Sequence, residues 1–243
     1  MHHLIVDRFE PDQAEMAIQG EQARHAVRVR RMEPGERLIL MDGAGTKAAA
    51  TVAASDKNGP NSSWRLLVKI DSVDYQPRPE PAVHVICPAP KGDLLETMID
   101  QLSQVGAASW RPLDTERSER EPRRGKIDRL IRITHESAKQ CGRPWFMDIN
   151  EGISFDNAIQ LSNAVIADAG GSAVEEVARD MQADTGTGGI HVLVGPEGGF
   201  SAAERSLAHG AGLALIDLGP HVLRIGTAAV VGASSFVRVV TRR

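Results

Sequence analysis

Three glycine-rich segments of this sequence each follow a short apolar run, and their composition is suited to binding. They are DAGGS at 168–172, GPEGG at 195–199 and LGPHVLRIGTA at 218–228. Glycine lets backbone amides approach a bound molecule closely, and proline fixes the backbone while removing a donor. We expect such loops to hold a flat, neutral ring and a small polar tail through backbone hydrogen bonds. For GPEGG taken alone, a bare turn is the alternative.

The spacing of the second segment excludes two common nucleotide-binding motifs. GPEGG fits neither G-x-G-x-x-G nor G-x-x-x-x-G-K-S/T, and it lacks the lysine and hydroxyl that a triphosphate with magnesium requires. Directly behind it, Ser201 and Glu204 fit a capping box, which predicts a helix start. The sequence therefore predicts a strand, a shaped backbone turn and a capped helix in succession.

Composition limits the class of protein and its location. The 243 residues are 42% hydrophobic and 25% charged, which is ordinary for a soluble globular chain. No apolar run approaches the roughly 18 residues of a membrane span, and the first residues do not form a signal peptide. Cys87 and Cys141 are the only cysteines, without clustered histidines. We therefore expect a cytoplasmic protein with no metal site and no disulfide framework.

Two basic segments favour a polyanionic partner in spite of the net charge of −4. Residues 24–31 contain four arginines, one histidine and no acid, and residues 117–132 contain seven Arg and Lys against three acids. Arg24, Arg28 and Arg31 are spaced to share one helical face. For either segment alone, a solvated surface is the alternative. Aromatic residues make up only 4%, which argues against base stacking as the main binding mode.

A proline-rich linker at residues 75–81 divides the chain into two predicted domains. Before it, residues 1–74 show three strand patterns after a short helix near 20–31, typical of a small, mostly β domain. After it, residues 82–243 alternate apolar strands with amphipathic helices, which predicts an α/β fold around a parallel sheet covered on both faces. Ligands of such sheets bind at the carboxyl ends of the strands, where the three glycine-rich segments are expected to meet.

Several elements of the larger domain are predicted in detail. Asp93 and Glu96 fit a cap for a helix with one apolar face. A second helix is expected at 125–141 and a closing helix at 227–240. Members of the apolar face are Leu94, Leu95, Met98, Ile99, Leu102 and Val105. The predicted central strands are 164–169, 190–195 and 213–219.

Two motifs of the second half resemble those of a known family. LVGPEGGFSAAE and LGPHVLRIGTAA resemble the patterns I-G-P-E-G-G-(F/L)-S-x-x-E and L-G-x-R-I-L-R-x-E-T-A of the RsmE group of SPOUT-class RNA methyltransferases. Three further stretches resemble that family in the same order along the chain. They are RHAVRVRRMEPGERLILMDG, KGDLLETMIDQLSQVG and ESAKQCGRP. The resemblance covers nearly the whole sequence.

The resemblance implies a fold and an activity. The fold is a C-terminal trefoil-knot (SPOUT) methyltransferase domain behind a small N-terminal β-barrel-like (PUA-like) domain, in a homodimer. General topology rules give no reason to expect the knot. The activity is S-adenosyl-L-methionine-dependent methylation of N3 of a uridine in 16S rRNA of the small ribosomal subunit, at position 1498 in the usual numbering.

The resemblance also implies roles for residues of the second and third loops. Arg224 is the candidate catalytic residue, a fixed cation that stabilises charge on the base as N3 loses its proton. A structural arginine at a helix start is the alternative. Glu197 either holds the cofactor or ties its own loop. The residues implied for cofactor binding are Leu193, Gly195, Pro196, Glu197, Gly198, Gly199, Leu218, Gly219, Pro220, Val222, Leu223 and Thr227.

RNA contacts are expected from both basic segments, through phosphates. His25 as a general base is a second hypothesis for that residue. The candidates are Arg24, His25, Arg28, Arg30 and Arg31, followed by Arg117, Arg120, Arg123, Arg124 and Lys126.

The sequence departs from the family pattern in the third loop, and this leaves other functions open. Gly226 stands where the family has an acid, and His221 stands where an arginine is common. A non-catalytic protein of ribosome assembly on the same fold is therefore an alternative to the enzyme. A small-molecule methyltransferase is a third reading, which the arginine clusters argue against.

Overall fold

The computed structural model describes residues 2–10, 13–56, 64–118, 124–183 and 188–241. Contacts divide the chain into two compact units. The first comprises residues up to 78 together with 138–146, and the second comprises 79–137 and the chain from 147 onwards. The domain limits inferred from the sequence stay a prediction.

The first unit is built around a five-stranded sheet. Its strands lie in the order β1-β3-β4-β5-β2, with β1 parallel to β3 and the other pairs antiparallel. Alternate side chains of these strands form a buried core that includes Leu38, Leu40 and Val68. The elements are β1 (His2–Ile5), β2 (Glu15–Gln19), α1 (Gly20–Arg24), β3 (Arg37–Met41), β4 (Thr46–Asp56) and β5 (Arg65–Tyr75). The three predicted strands are confirmed as β3, β4 and β5, whereas β1 and β2 were not predicted.

The helix of the first unit is shorter than the arginine spacing requires. After α1 the chain continues as a π-helical turn, His25–Val29, and Arg31 then adopts a left-handed backbone with φ of 53°. The turn lets Met32, which is 2% exposed, enter the core. The prediction that Arg24, Arg28 and Arg31 share one helical face is therefore wrong for Arg31.

The second unit is an α/β fold around a parallel sheet. Its strand order is β12-β10-β11-β6-β7-β8, and the short β9 pairs with β7. The strands are β6 (Val83–Cys87), β7 (Ser109–Asp114), β8 (Asp148–Ile149), β9 (Ile153–Ser154), β10 (Ala164–Ala173), β11 (Ile190–Val194) and β12 (Ala214–Asp217). The helices are α2 (Leu94–Val105), α3 (Arg124–Cys141), α4 (Phe155–Ala158), α5 (Val174–Ala183), α6 (Ala202–Gly210) and α7 (Ile225–Val240).

Both faces of this sheet are buried, as the apolar strand runs predict. On one face, Val85 and Val192 belong to a core cluster with Met98 of α2 and Phe236 of α7. On the other face, Leu193 belongs to a cluster with residues of α4 and α6. Because successive residues of a strand point to opposite faces, neighbouring positions serve both clusters.

One buried thiol lies inside the second unit. The Trp110 Nε1–H donates to Cys87 Sγ at 3.2 Å, and the thiol also contacts Met98. Burial raises the pKa of Cys87 to about 12. The other cysteine, Cys141, is exposed.

Asp93 occupies the predicted N-cap position of α2 and the helix is confirmed, but the predicted capping bonds are absent. Asp93 has a helical backbone, with φ of −76° and ψ of −12°, and its side chain makes no capping hydrogen bond. The Glu96 carboxylate instead accepts a bond of 2.7 Å from Arg129 of α3. Leu94 of the predicted apolar face is 56% exposed, because it precedes the stripe that faces the sheet.

Two kinds of feature are absent from the described ranges. None of the helices there has the length and apolarity needed to cross a membrane. The same residues contain no group of three or more His, Cys, Asp or Glu side chains placed to hold a metal ion.

Candidate active site

A cavity of about 240 Å³ lies in the second unit at the carboxyl ends of β10, β11 and β12. Three chain segments line it, one after each strand, as expected for an open parallel sheet. The lining residues are Ala167, Asp168, Ala169, Val194, Gly195, Pro196, Glu197, Gly199, Phe200, Ile216, Asp217, Leu218, Gly219, Pro220, His221, Val222, Leu223 and Ala228.

The first segment is a bulge within β10, and not the strand-ending loop that DAGGS predicts. Ala167 and Ser172 both pair with Ile216 of β12, so residues 168–171 lie outside the ladder. A Cβ on Gly171 would lie 2.6 Å from the β12 backbone, which only glycine avoids. The strand resumes because its last residues can still pair with β12. The bulge brings Asp168 to the cavity.

The second segment is a tight turn that joins β11 to α6. The Gly199 N–H donates to the Pro196 carbonyl at 2.8 Å, and Gly199 adopts a left-handed φ of 64°. A Cβ on Gly195 would lie 3.0 Å from the ring of Phe200, which is only 2% exposed. Glycine is therefore required at both ends of the turn, for conformation at one and for packing at the other.

The predicted capping box behind this turn is confirmed. Ser201 Oγ accepts from the Glu204 N–H at 3.2 Å, and the Glu204 carboxylate accepts from the Ser201 N–H at 2.8 Å. The same carboxylate also accepts from the Glu116 N–H at 2.9 Å. Glu204 is 7% exposed, so one buried carboxylate joins the start of α6 to the chain after β7.

Arg117, the residue after Glu116, contacts the tight turn itself. Its Nη1 donates to the Gly198 carbonyl at 2.7 Å, across 81 positions of sequence. Gly198 is absent from the cavity lining, and its carbonyl is bound by Arg117. The two contacts attach residues 114–118, here called the β7 turn, to the start of α6 through Glu204 and to residues 195–199, here called the glycine turn, through Gly198.

The third segment, between β12 and α7, has fewer internal bonds among the described residues. The Gly219 N–H donates to Asp217 Oδ1 at 2.8 Å, and Gly219 has a φ of 133° that favours glycine. Arg224 occupies the N-cap of α7 without a side-chain capping bond. Val222 is 95% exposed.

The charged groups lining the cavity are mainly acidic. Asp168, Glu197 and Asp217 contribute carboxylates, and His221 contributes an imidazole. Arg205 of α6 lies 3.4 Å from the Asp168 carboxylate and offsets part of this charge. The cavity therefore suits a ligand that carries positive charge.

The structure brings together most residues that the resemblance implies for cofactor binding. Leu193 is fully buried within the sheet core, so its side chain does not reach the cavity. Gly198, Thr227 and the catalytic candidate Arg224 are also absent from the lining. Six further lining residues were not predicted as cofactor contacts from the sequence: Val194, Phe200, Ile216, Asp217, His221 and Ala228. Val194 and Phe200 adjoin glycines of the second segment, and the other four lie two or three positions from Gly219 or Gly226, which was the available signal.

The candidate RNA contacts lie on both units. In the first unit Arg24, His25, Arg28, Arg30 and Arg31 are all exposed, and Arg24 pairs with Glu21 at 3.0 Å. In the second unit the Lys126 Nζ donates to the Gly92 carbonyl at 3.4 Å. Arg120, Arg123 and the side chain of Arg124 lie outside the described residues.

Two protein families match this sequence. The family described as an RNA methyltransferase domain matches residues 77–237, and that described as an RNA methyltransferase PUA domain matches residues 18–60. The chain therefore belongs to the RNA methyltransferase family, and the resemblance to its RsmE group is confirmed.

Relatives and solved structures agree with this assignment. Ribosomal RNA small subunit methyltransferase E of Mycobacterium bovis is 28% identical, over 99% of this chain and 92% of its own. A methyltransferase structure from Legionella pneumophila, in complex with the bound cofactor SAM, is 26% identical with a TM-score of 0.71, over 97% and 95% of the two chains.

The fold agrees with a further structure of this type. Ribosomal RNA small subunit methyltransferase E from Neisseria gonorrhoeae, bound to S-adenosyl methionine, is 20% identical with a TM-score of 0.80, over 98% of both chains. The predicted fold class, a trefoil-knot (SPOUT) methyltransferase domain with a small PUA-like domain, is confirmed.

Proposed function

We propose that this protein transfers a methyl group from S-adenosyl-L-methionine to N3 of a uridine in 16S rRNA, at the position numbered 1498. The single observation that carries the proposal is the glycine-shaped, acid-lined cavity at the carboxyl ends of three parallel strands in a chain of this family. The names of the relatives, which specify small-subunit ribosomal RNA, support the choice of substrate.

The residues present fit this cofactor. S-adenosylmethionine carries a sulfonium and an ammonium group, and the lining offers the carboxylates of Asp168, Glu197 and Asp217. The glycines at 195 and 199 keep the backbone of the second segment free of side chains, so a ring can approach it closely. When bound, the cofactor supplies a methyl group already activated by the sulfonium, so the protein must chiefly align and deprotonate the uridine.

Arg224 is proposed to stabilise the charge that develops on the base. It is exposed at the first turn of α7, directly after the cavity-lining segment that ends at Leu223. Its guanidinium is a donor that does not serve as a helix cap, and it is exposed to solvent, so it is available for the substrate. Cys87, with its raised pKa and full burial, is excluded as a nucleophile or base of the same reaction.

The remaining features of the proposal concern partners and location. The exposed arginines of residues 24–31 and the basic residues that follow Arg117, among them Lys126, are proposed to contact rRNA phosphates within the small ribosomal subunit. The enzyme is proposed to act as a homodimer in the cytoplasm, without a metal ion. Residues 1–74 are proposed as the RNA-binding domain, 75–81 as its linker and 82–243 as the methyltransferase domain.

The proposal is tested by methyl transfer to small ribosomal subunits from a strain that lacks the gene. The purified protein is incubated with methyl-labelled cofactor, and the rRNA is digested to nucleosides for mass spectrometry. Label in 3-methyluridine at one site is the expected result. Tight binding to the subunit without any label would instead favour a non-catalytic assembly protein, with Gly226 as the first suspect.

A further inference from the structure

The β7 turn carries one arginine, Arg117, that contacts the glycine turn at Gly198. Arg117 Nη1 lies 2.7 Å from the Gly198 carbonyl, and its Cδ lies 3.4 Å from the position that a Gly198 Cβ would occupy. The aliphatic part of Arg117 therefore lies over Gly198 while its guanidinium binds the carbonyl. A short distance between a charged donor and a carbonyl is typical of a strong hydrogen bond.

The backbone of the β7 turn on either side of Arg117 is fixed by hydrogen bonds. Ser118 Oγ accepts from the Thr115 N–H at 2.9 Å and lies 3.1 Å from the Thr115 carbonyl, which closes the β7 turn on itself. The neighbouring Glu116 N–H is bound by the buried Glu204 carboxylate at 2.9 Å. Both ends of the turn around Arg117 are thus fixed by bonds that do not involve its own side chain.

The glycine turn has two sides with different neighbours. Gly195, Pro196, Glu197 and Gly199 line the cavity, whereas Gly198 is absent from that lining and is bound by Arg117. The glycine turn is closed by a single bond between Pro196 and Gly199. Rotation of the peptide group at Gly198 would therefore displace the cavity-lining residues on either side of it. The Arg117 bond therefore acts on the residue that lies between two cavity-lining positions of the glycine turn, Glu197 and Gly199.

We propose that Arg117 is a positioning residue for the cofactor, which sets the glycine turn in its binding conformation by holding the Gly198 carbonyl. The sequence pattern grouped Arg117 with the RNA-binding arginines, and the geometry gives its guanidinium a different task. The identity of the ligand as S-adenosylmethionine rests on the proposed function, but the positioning of the turn does not.

The test compares Arg117→Ala and Arg117→Lys with the unchanged full-length protein. Removing an exposed, charge-assisted hydrogen bond is expected to weaken S-adenosylmethionine binding about three- to tenfold, measured by calorimetry. The lysine variant keeps the charge and one donor, so it is expected to recover part of the loss. Binding to small ribosomal subunits is expected to stay within twofold for both variants.

Arg132→Ala is the matched control, since Arg132 is exposed on α3 and contacts only its own helix among the described residues. It removes the same charge and is expected to leave cofactor affinity unchanged. Unchanged cofactor affinity in Arg117→Ala, with weakened subunit binding, would overturn the proposal and return Arg117 to the RNA contacts.

Amide hydrogen exchange supplies a measurement that needs no cofactor. Arg117→Ala is expected to speed exchange in peptides covering 195–204 and to leave the α7 peptides at 225–240 unchanged. Equal exchange in the turn would contradict the positioning role. If the unchanged protein binds no S-adenosylmethionine, the proposed function fails, and the exchange result still decides whether Arg117 holds the turn.

Discussion

The two Gly-Pro segments of the cavity are built in different ways. The segment from Gly195 to Gly199 is bonded within itself and to the β7 turn, and the β7 turn is in turn bonded to the start of α6. The segment from Leu218 to Leu223 has, among the described residues, one side-chain bond to its backbone, from Asp217 to the Gly219 N–H. It also carries Val222, which is 95% exposed.

The difference indicates a division of labour within one cavity. A turn fixed from outside keeps its shape before a ligand arrives, and such preorganisation lowers the entropy lost on binding. A segment with few internal bonds keeps its backbone groups for a ligand or partner. We therefore expect changes in the glycine turn at 195–199 to alter stability and cofactor affinity, and changes in the segment between β12 and α7 to alter the reaction itself.

The largest effect is expected at Arg224, which directly follows the third segment of the cavity. Arg224→Ala should lower the rate of methyl transfer about 100- to 1,000-fold, as for the loss of one transition-state donor. Cofactor affinity should change less than threefold, because Arg224 does not line the cavity. Single-turnover rates and calorimetry measure the two quantities. A parallel loss of cofactor affinity would break the proposed division.

A smaller effect, on stability, is expected at Glu204, which caps α6 directly behind the glycine turn. Glu204→Ala removes the helix cap and leaves the Glu116 N–H without its acceptor, which should lower the free energy of unfolding by about 2 kcal/mol. Glu204→Gln keeps an acceptor oxygen and should lose less. Urea denaturation measures both variants. A loss of activity at unchanged stability would instead place Glu204 in the chemistry.

Two alanine substitutions within the glycine turn are expected to differ in their effect on stability. Gly195→Ala places a Cβ 3.0 Å from the buried Phe200 ring and should cost about 1–2 kcal/mol, since a filled core resists overpacking. Gly198→Ala is the control, because its Cβ meets only the flexible end of Arg117 at 3.4 Å. Thermal unfolding should separate the two variants by a few degrees.

The smallest effect is expected from restoring the acid that the family has at position 226. A Cβ on Gly226 lies 3.7 Å from Met98, an ordinary contact, so Gly226→Glu should fit. Replacing glycine in the first turn of α7 by an acid should stabilise the protein by about 1 kcal/mol. Gly226→Gln controls for helix propensity without charge. A rise in methyl transfer for the glutamate alone would show that Arg224 needs a carboxylate.

Sequence patterns predicted the parts of this fold that depend on neighbouring residues. The apolar runs of β11 and β12 and the Ser201–Glu204 capping box involve a few adjacent positions, and all are confirmed. The capping bonds predicted at Asp93 do not form, and Glu96 instead accepts a hydrogen bond from Arg129, 33 positions away. A local motif gives no information about such a competing partner.

The candidate site shows the same limit. Gly195 and Gly219 could be predicted as site residues from the sequence, because each belongs to a Gly-Pro step directly after an apolar strand. Asp168 reached the cavity through a bulge, whose existence depends on pairing between β10 and β12. The bond from Arg117 to Gly198 joins two loops 81 positions apart, so sequence spacing indicated only that Arg117 is basic.

The contrast between the two cysteines offers a spectroscopic use. Thiol reagents attack the thiolate, and the Cys87 thiol is buried against Trp110 with a pKa of about 12. Cys141 is exposed, so a maleimide dye at neutral pH should attach there alone. The unaltered protein therefore carries a single labelling position in the first unit, from which fluorescence anisotropy can follow ribosomal RNA binding without any substitution.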